Sequence, residues 1–167
     1  ASKRLASICR RVNAGDSEDE IVLNLQKNSE LLLNRALDGV VGICIGGHLA
    51  FRAAMQPDVL AAACFYATDI HKRSLGQGLR DDSLDRVAQI TGELLMIWGR
   101  QDPHIPREGR AVIYNALSDA GVQFQWHEFN AAHAFMRDEG PRYDPAIARI
   151  CYGLAVELFH RRLGEGV

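Results

Sequence analysis

Four short apolar runs, each separated from the next by a longer stretch, constrain this chain more than any other feature. They are Val40-Val41-Gly42-Ile43, Ala61-Ala62-Ala63-Cys64-Phe65-Tyr66, Leu94-Leu95-Met96-Ile97-Trp98 and Phe124-Gln125-Trp126-His127-Glu128-Phe129. Short runs alternating with amphipathic stretches predict βα units and a parallel sheet. The first three are almost continuously apolar, the pattern of strands buried on both faces. The fourth alternates more and suits an edge strand. Right-handed crossovers then order the sheet 40–43, 61–66, 94–98, 124–129, with helices on both faces. The expected fold class is α/β.

The intervening stretches carry helix start and stop signals. Residues 46–56 form an amphipathic stretch stopped by Pro57. A second helix is expected over about 107–120, with Pro106 near its start, Ile113, Leu117 and Ala120 on one face, and Gly121 just past its end. A third spans about 145–163: Asp144 caps it, Pro145 takes the first position, and Ile147, Ile150, Cys151, Leu154 and Leu158 form the apolar stripe. Residues 1–37 read as a separate N-terminal segment with a helix over about 19–36, and 38–167 as the core. Residues 68–90 are polar and glycine-bearing, with Asp81-Asp82-Ser83-Leu84 placed to cap a short helix. They read as an excursion over the strand ends, either a pocket wall or a surface loop.

Composition narrows the function classes. With 167 residues, a net charge of −2 and no long basic stripe, the chain lacks the electrostatic footprint of a nucleic-acid binder. No run of about 18 apolar residues offers a membrane span. Four widely spaced cysteines (Cys9, Cys44, Cys64, Cys151) form no C-x-x-C pair, which argues against a zinc ribbon or a disulfide scaffold and leaves a reducing, cytoplasmic setting as the expectation. Nothing in the sequence calls for a metal or another cofactor.

The sharpest local signal is Gly42-Ile43-Cys44-Ile45-Gly46, set where the first strand ends and a helix begins. That context is the one a nucleophile elbow requires, with cysteine in place of serine. Side chains at either glycine are expected to clash in so sharp a turn. Cys44 would sit at a helix N-terminus, where the dipole favours negative charge, and the Ile45 N–H would point at a developing oxyanion. Asp102 follows the third run and His133 the fourth. Nucleophile, acid, histidine, each at the C-terminal end of a strand, is the chain order of α/β hydrolases. The expected triad is therefore Cys44, His133 as base, and Asp102 holding the imidazole. His48 and His104 read as packing or loop residues, Cys64 and Cys151 as core thiols, and Trp98 and Trp126 as core or strand-face aromatics.

These residues carry a resemblance. Gly-Ile-Cys-Ile-Gly-Gly-His-Leu-Ala-Phe-Arg, Gly-Arg-Gln-Asp-Pro-His-Ile-Pro and Ala-Ala-His-Ala-Phe-Met-Arg-Asp look like the dienelactone hydrolase (carboxymethylenebutenolidase) family, from about residue 38 to 162. The segment from Tyr66 through Leu84 resembles the fungal and proteobacterial branch. The resemblance implies hydrolysis of an enol lactone or related ester, a small-molecule substrate. It also implies an arginine four residues after the histidine, here Arg137, that holds a substrate carboxylate. The family begins with further strands carrying the second oxyanion donor, another arginine and a glutamate that meets the cysteine. Residues 1–37 hold no convincing counterpart, so the chain is expected to be the C-terminal part of the fold, with strand 40–43 lacking a neighbour and prone to self-association along that edge. Two other readings compete. A glutamine amidotransferase also uses a cysteine elbow but places its acid close behind the histidine. A non-catalytic α/β-hydrolase fragment would serve as a binding or assembly module.

Overall fold

The computed structural model describes residues 38–75 and 80–163. The helix expected over 19–36, Cys9 and the glycines Gly76 and Gly78 lie outside the described residues. Four strands form one sheet: β1 (Gly39–Ile43), β2 (Ala61–Phe65), β3 (Glu93–Gly99) and β4 (Phe124–Phe129). Their order is β1-β2-β3-β4 and every pairing is parallel. Ile43 pairs with Phe65, Phe65 with Ile97, and Ile97 with His127. The C-terminal ends of the strands therefore lie close in level, and the residues that follow them emerge along one rim.

The helices are α1 (Ile45–Ala53), α2 (Arg107–Asp119) and α3 (Pro145–Leu163). Two glycines of β1 show how they are layered. A Cβ on Gly39 would meet Leu163 and Phe159 of α3, whereas one on Gly42 would meet the backbone of α1 at Gly46. Residues 39 and 42 point to opposite faces of a strand, so α1 and α3 cover opposite faces of the sheet. The core between them is apolar and buried. All residues of β2 and β3 are buried, with Trp98, Phe65 and Phe51 among the largest side chains.

Local signals account for the helix ends. Asp144 Oδ1 accepts the N–H groups of Ala146 and Ile147 at 3.1 and 3.0 Å, which satisfies donors of α3 that have no intrahelical partner. The Asp144 N–H itself donates to Phe135 O at 2.9 Å, tying the cap to the loop after β4. Gly121 follows α2 with φ +68°, the left-handed residue that ends a helix without a Cβ penalty. α1 stops at Ala53, four residues before Pro57, and its chain continues in turns through Gln56.

One expectation needs correction and two gain detail. Ile150 of α3 is 50% exposed, and the buried stripe is Ala148, Cys151, Ala155 and Leu158. Small alanines let the helix lie close on the sheet, and the helix is apolar over so much of its surface that spacing alone does not fix its rotation. Ala120 is half-buried and packs against the core as expected, and Gly109 and Arg110 join Ile113 and Leu117 on the inner face of α2. Of the two readings open for the segment 68–90, a plain surface loop does not describe residues 68–75 and 80–90. Three short 3₁₀ turns (Ile70–Lys72, Ser83–Asp85, Val87–Gln89) anchor it through buried Ile70, Leu75, Leu84, Val87 and Ile90.

Among the described residues β1 pairs with β2 alone, and its Val41 and Ile43 are 43% and 45% exposed. Its sequence is that of a strand covered on both faces, but no described residue pairs with its other side. No helix among the described residues is long and apolar enough to cross a membrane.

Candidate active site

Cys44 stands between β1 and α1 with φ 59° and ψ −125°, a conformation that non-glycine residues rarely adopt. The strain is held from three sides. Its N–H donates to Phe65 O at 2.9 Å, and its carbonyl accepts from Gly47 at 2.9 Å and His48 at 3.3 Å. Gly42 is the residue that makes the turn possible, because its Cβ would lie 1.8 Å from Gly46 O. Gly47 allows the helix to approach Phe65 O and Ala67, each about 3.0 Å from where its Cβ would sit. Gly46, expected to be excluded from carrying a side chain, has open space around its Cβ position; it contributes the carbonyl that Gly42 must avoid. The Ile45 N–H leads α1 and has no backbone acceptor among the described residues, as the first amide of a helix should.

The acid and the histidine come from adjacent loops that are stitched together. Arg100 N–H donates to Phe129 O at 2.8 Å and Gln101 N–H to Ala131 O at 3.0 Å. Gly99 permits this, since a Cβ there would meet Ala131 O at 2.4 Å. Asp102 is buried, and its Oδ1 accepts the His104 N–H at 2.8 Å. Its Oδ2 accepts from His133 Nδ1 at 2.6 Å, the short distance of a charge-assisted bond. On the other side of the ring, His133 Nε2 lies 3.3 Å from Cys44 Sγ. Burial works against a charge on His133, but the bonds to Asp102 and Cys44 outweigh it and push its pKa up to about 9.

Two more rings frame the histidine. Tyr66, first after β2, packs edge-on against His133 with centroids 5.0 Å apart, and His104 meets it from another side at 4.8 Å. The sequence did not single out Tyr66, although its place directly after a strand is the same signal that marks Cys44, Asp102 and His133. Arg137 is exposed on the loop after His133, and its side chain makes no hydrogen bond with a described residue. Its N–H donates to Ala134 O at 3.0 Å, closing a turn in which Ala134 has φ 60°. The four sequence-predicted residues Cys44, Ile45, Asp102 and His133 thus stand at one rim, and Arg137 stands on the same loop as His133 but apart from these contacts.

Elsewhere, a surface groove of about 260 Å³ runs between α2 and the β4 edge, with Arg100, Arg107, Tyr114 and Trp126 among its walls. None of Cys44, Asp102 or His133 lines it. Among the described residues, no cluster of His, Cys, Asp or Glu is arranged to hold a metal ion.

The parallel sheet, its layers and the sharp turn at Cys44 give the fold of the α/β hydrolases. The fold is shared with a protein solved as "Putative Dienelactone Hydrolase" from Klebsiella pneumoniae, at TM-score 0.68 and 19% identity over 89% of this chain and 63% of that one. A dienelactone hydrolase-like promiscuous phosphotriesterase, P91, matches at TM-score 0.64 and 17% identity, covering 94% of this chain and 68% of its own. The chain belongs to the dienelactone hydrolase family, whose model matches residues 10–163. A Saccharomyces cerevisiae protein named "Putative carboxymethylenebutenolidase" is 47% identical over 131 residues, 75% of this chain and 48% of that protein. The chain spans about half the length of the curated relatives it matches.

Proposed function

We propose that the chain carries the nucleophile, base and acid of a hydrolase that opens a lactone or carboxylic ester through a cysteinyl acyl-enzyme. The observation that carries this reading is the unbroken line Cys44 Sγ, His133, Asp102, at 3.3 and 2.6 Å. Cys44 Sγ attacks the carbonyl carbon, and the Ile45 N–H receives the oxyanion. A C–S bond forms and the ester C–O bond breaks, and the proton that Cys44 has already given up to His133 passes on to the leaving oxygen. In a lactone that oxygen stays tethered to the acyl chain. Water then attacks the thioester with His133 as base, the acid departs, and the water proton returns to sulfur. His133 owes part of its raised pKa to Cys44; acylation removes that contribution and frees the ring to act as base.

Incubation with p-nitrophenyl acetate or a dienelactone, followed by peptide mass spectrometry, tests the reading. Acyl mass on the Cys44 peptide is the expected result, and acylation confined to another residue overturns it. The thiols offer a second check. Burial pushes the Cys64 thiol far up and Cys151 up to about 12, whereas Cys44 is partly exposed beside an imidazole. Iodoacetamide at neutral pH is therefore expected to label Cys44 first among these three. Faster labelling of Cys64 or Cys151 would count against the elbow.

Arg137 is assigned to the substrate carboxylate, by its place four residues after His133 and its exposed guanidinium, which has no hydrogen-bond partner among the described residues. Arg137→Ala is expected to weaken carboxylate-bearing substrates by about 1.5–3 kcal/mol and to leave neutral aryl esters nearly unchanged. Equal losses for both would make it a surface residue. The β1 edge, unpaired among the described residues, completes the reading: the chain self-associates through Val41 and Ile43. Sedimentation velocity should show concentration-dependent association that Val41→Lys weakens; a monomer at all concentrations refutes it.

A further inference from the structure

The elbow helix is bolted to the segment between β2 and β3 by a buried polar cluster that the catalytic chemistry does not use. His48 lies one helical turn after Cys44 and is fully buried. Its Nε2 stands 3.1 Å from Asp81 Oδ2 and 2.9 Å from Ser83 Oγ. Arg52, a turn further on, donates through Nη1 to Asp81 Oδ1 at 2.5 Å, Asp82 Oδ1 at 2.7 Å and Ser83 Oγ at 3.1 Å. Ser83 closes the cluster, its hydroxyl donating to Asp81 Oδ1 at 2.8 Å and its N–H to Asp81 Oδ2 at 3.1 Å. Burial would push the Asp81 carboxyl up, but the bonds from His48 and Ser83 hold it at about 2, so it is an anion and can only accept. His48 Nε2 is then the proton-bearing nitrogen. Its Nδ1 is buried with no partner among the described residues, so the Nε2 bond is the ring's only polar anchor there.

The same segment is attached to α1 at a second place. Thr68 N–H lies 3.4 Å from Cys44 O, the carbonyl that also receives the Gly47 and His48 amides. Asp69 and Arg73, between the two attachments, and Tyr66, two residues before the first of them, all have positive φ (66°, 53° and 37°). Three such residues in one short stretch store strain, which persists only while the surroundings hold the chain from both ends. Tyr66 is the ring against His133. A shift of the segment therefore moves one wall of the imidazole and pulls on the carbonyl of the nucleophile at once.

We infer that His48 and Asp81 are positioning residues that set the Cys44–His133 geometry by clamping residues 66–75 and 80–83 onto the elbow helix. The inference rests on the active-site reading above and deepens it. A misplacement of about 1 Å at reacting atoms costs on the order of 10²-fold in rate. Loss of the His48 donor is accordingly expected to slow reaction at Cys44 by about 10–100-fold without unfolding the chain.

The test is the second-order rate of iodoacetamide alkylation at Cys44, followed by peptide mapping from pH 5 to 10, on wild type, His48→Leu and His48→Gln. Near-ultraviolet circular dichroism and thermal melts accompany each variant. Glutamine places an amide N–H where Nε2 stands, so His48→Gln should stay within a few-fold of wild type, whereas His48→Leu should fall and its pH profile should move. If His48→Leu fails to fold, Asp81→Asn, which keeps the shape and removes the charge, takes its place with the same expectation. A folded His48→Leu with the wild-type rate and profile overturns the inference. Equal slowing of the Leu and Gln variants also overturns it, because ring packing and not the hydrogen bond would then matter. A wild-type Cys44 no faster than Cys151 refutes the active-site reading and this inference with it, an outcome distinct from either of the others.

Discussion

Gly42→Ala should leave little or no folded protein. The new methyl would lie 1.8 Å from Gly46 O, 2.3 Å from Gly46 C and 2.8 Å from Gly47 N, all of them backbone. No rotamer change relieves a clash with a helix's own first turn, so β1 and α1 must part. Ordinary overpacking costs about 1–3 kcal/mol through side-chain adjustment. Here the relief also breaks the Cys44 amide bonds and the glycine-mediated contact at Gly47, so a loss of at least about 4 kcal/mol is expected. Against a typical total of about 5–15 kcal/mol, that is most of the stability a domain has. Gly46→Ala is the control, since its Cβ would meet nothing within 4 Å. Denaturant unfolding of both variants decides the matter. A Gly42→Ala midpoint close to that of Gly46→Ala would show that the turn can open without cost.

Asp102→Asn should cut acylation of Cys44 by about 10²–10⁴-fold and shift its pH profile. The amide cannot support a positive imidazole, and it can hold the ring in the wrong tautomer. The sign follows from the direction of the His133 shift. Hydrogen bonds to Asp102 and Cys44 raise its pKa from about 6.5 to about 9. His133 thus carries its proton below about pH 9, and acylation, which needs that proton for the leaving oxygen, should decline above it. In Asp102→Asn this alkaline limb should move toward about pH 6.5. Stability responds in the same sense. The raised pKa contributes stability that is complete below about pH 6.5 and lost as pH rises through about 9, so the wild-type melting temperature should drop across that window more than the variant's. An alkaline limb in the same place in both proteins would mean that Asp102 does not govern the charge on His133.

Much of this molecule could be read from the order of its residues, because its strongest signals are local. Four apolar runs set the strands, and right-handed crossovers set their order, which is the one observed. Asp144 and Gly121 mark helix ends through their own side chain or its absence, and each does so here. What spacing could not supply was rotation and long-range partnership. α3 presents alanines to the sheet and leaves Ile150 and Val156 to solvent, because shape and not hydropathy decides which stripe of an almost uniformly apolar helix fits. The pairing of His48 with Asp81 joins residues 33 positions apart, and no periodicity announces it. The elbow motif implied constraint at both of its glycines, yet only the folded geometry separates Gly42, which is sterically forbidden a side chain, from Gly46, which is not. In the candidate site, the three residues after strand ends were legible for the same local reason, while Tyr66 shared their position without their chemistry and passed unmarked.

Asp144 gives the molecule one further property. Its carboxylate fastens the first turn of α3 while its amide fastens the loop that bears His133, through Phe135. Melting at the start of that helix and detachment of the histidine loop are consequently one opening event. In amide hydrogen exchange, Ala146, Ile147 and Asp144 itself should exchange together with a common protection factor, well below that of β3. The imidazole is thereby placed in one of the more readily opened cooperative units of the fold, next to a sheet interior that opens only when the whole domain does.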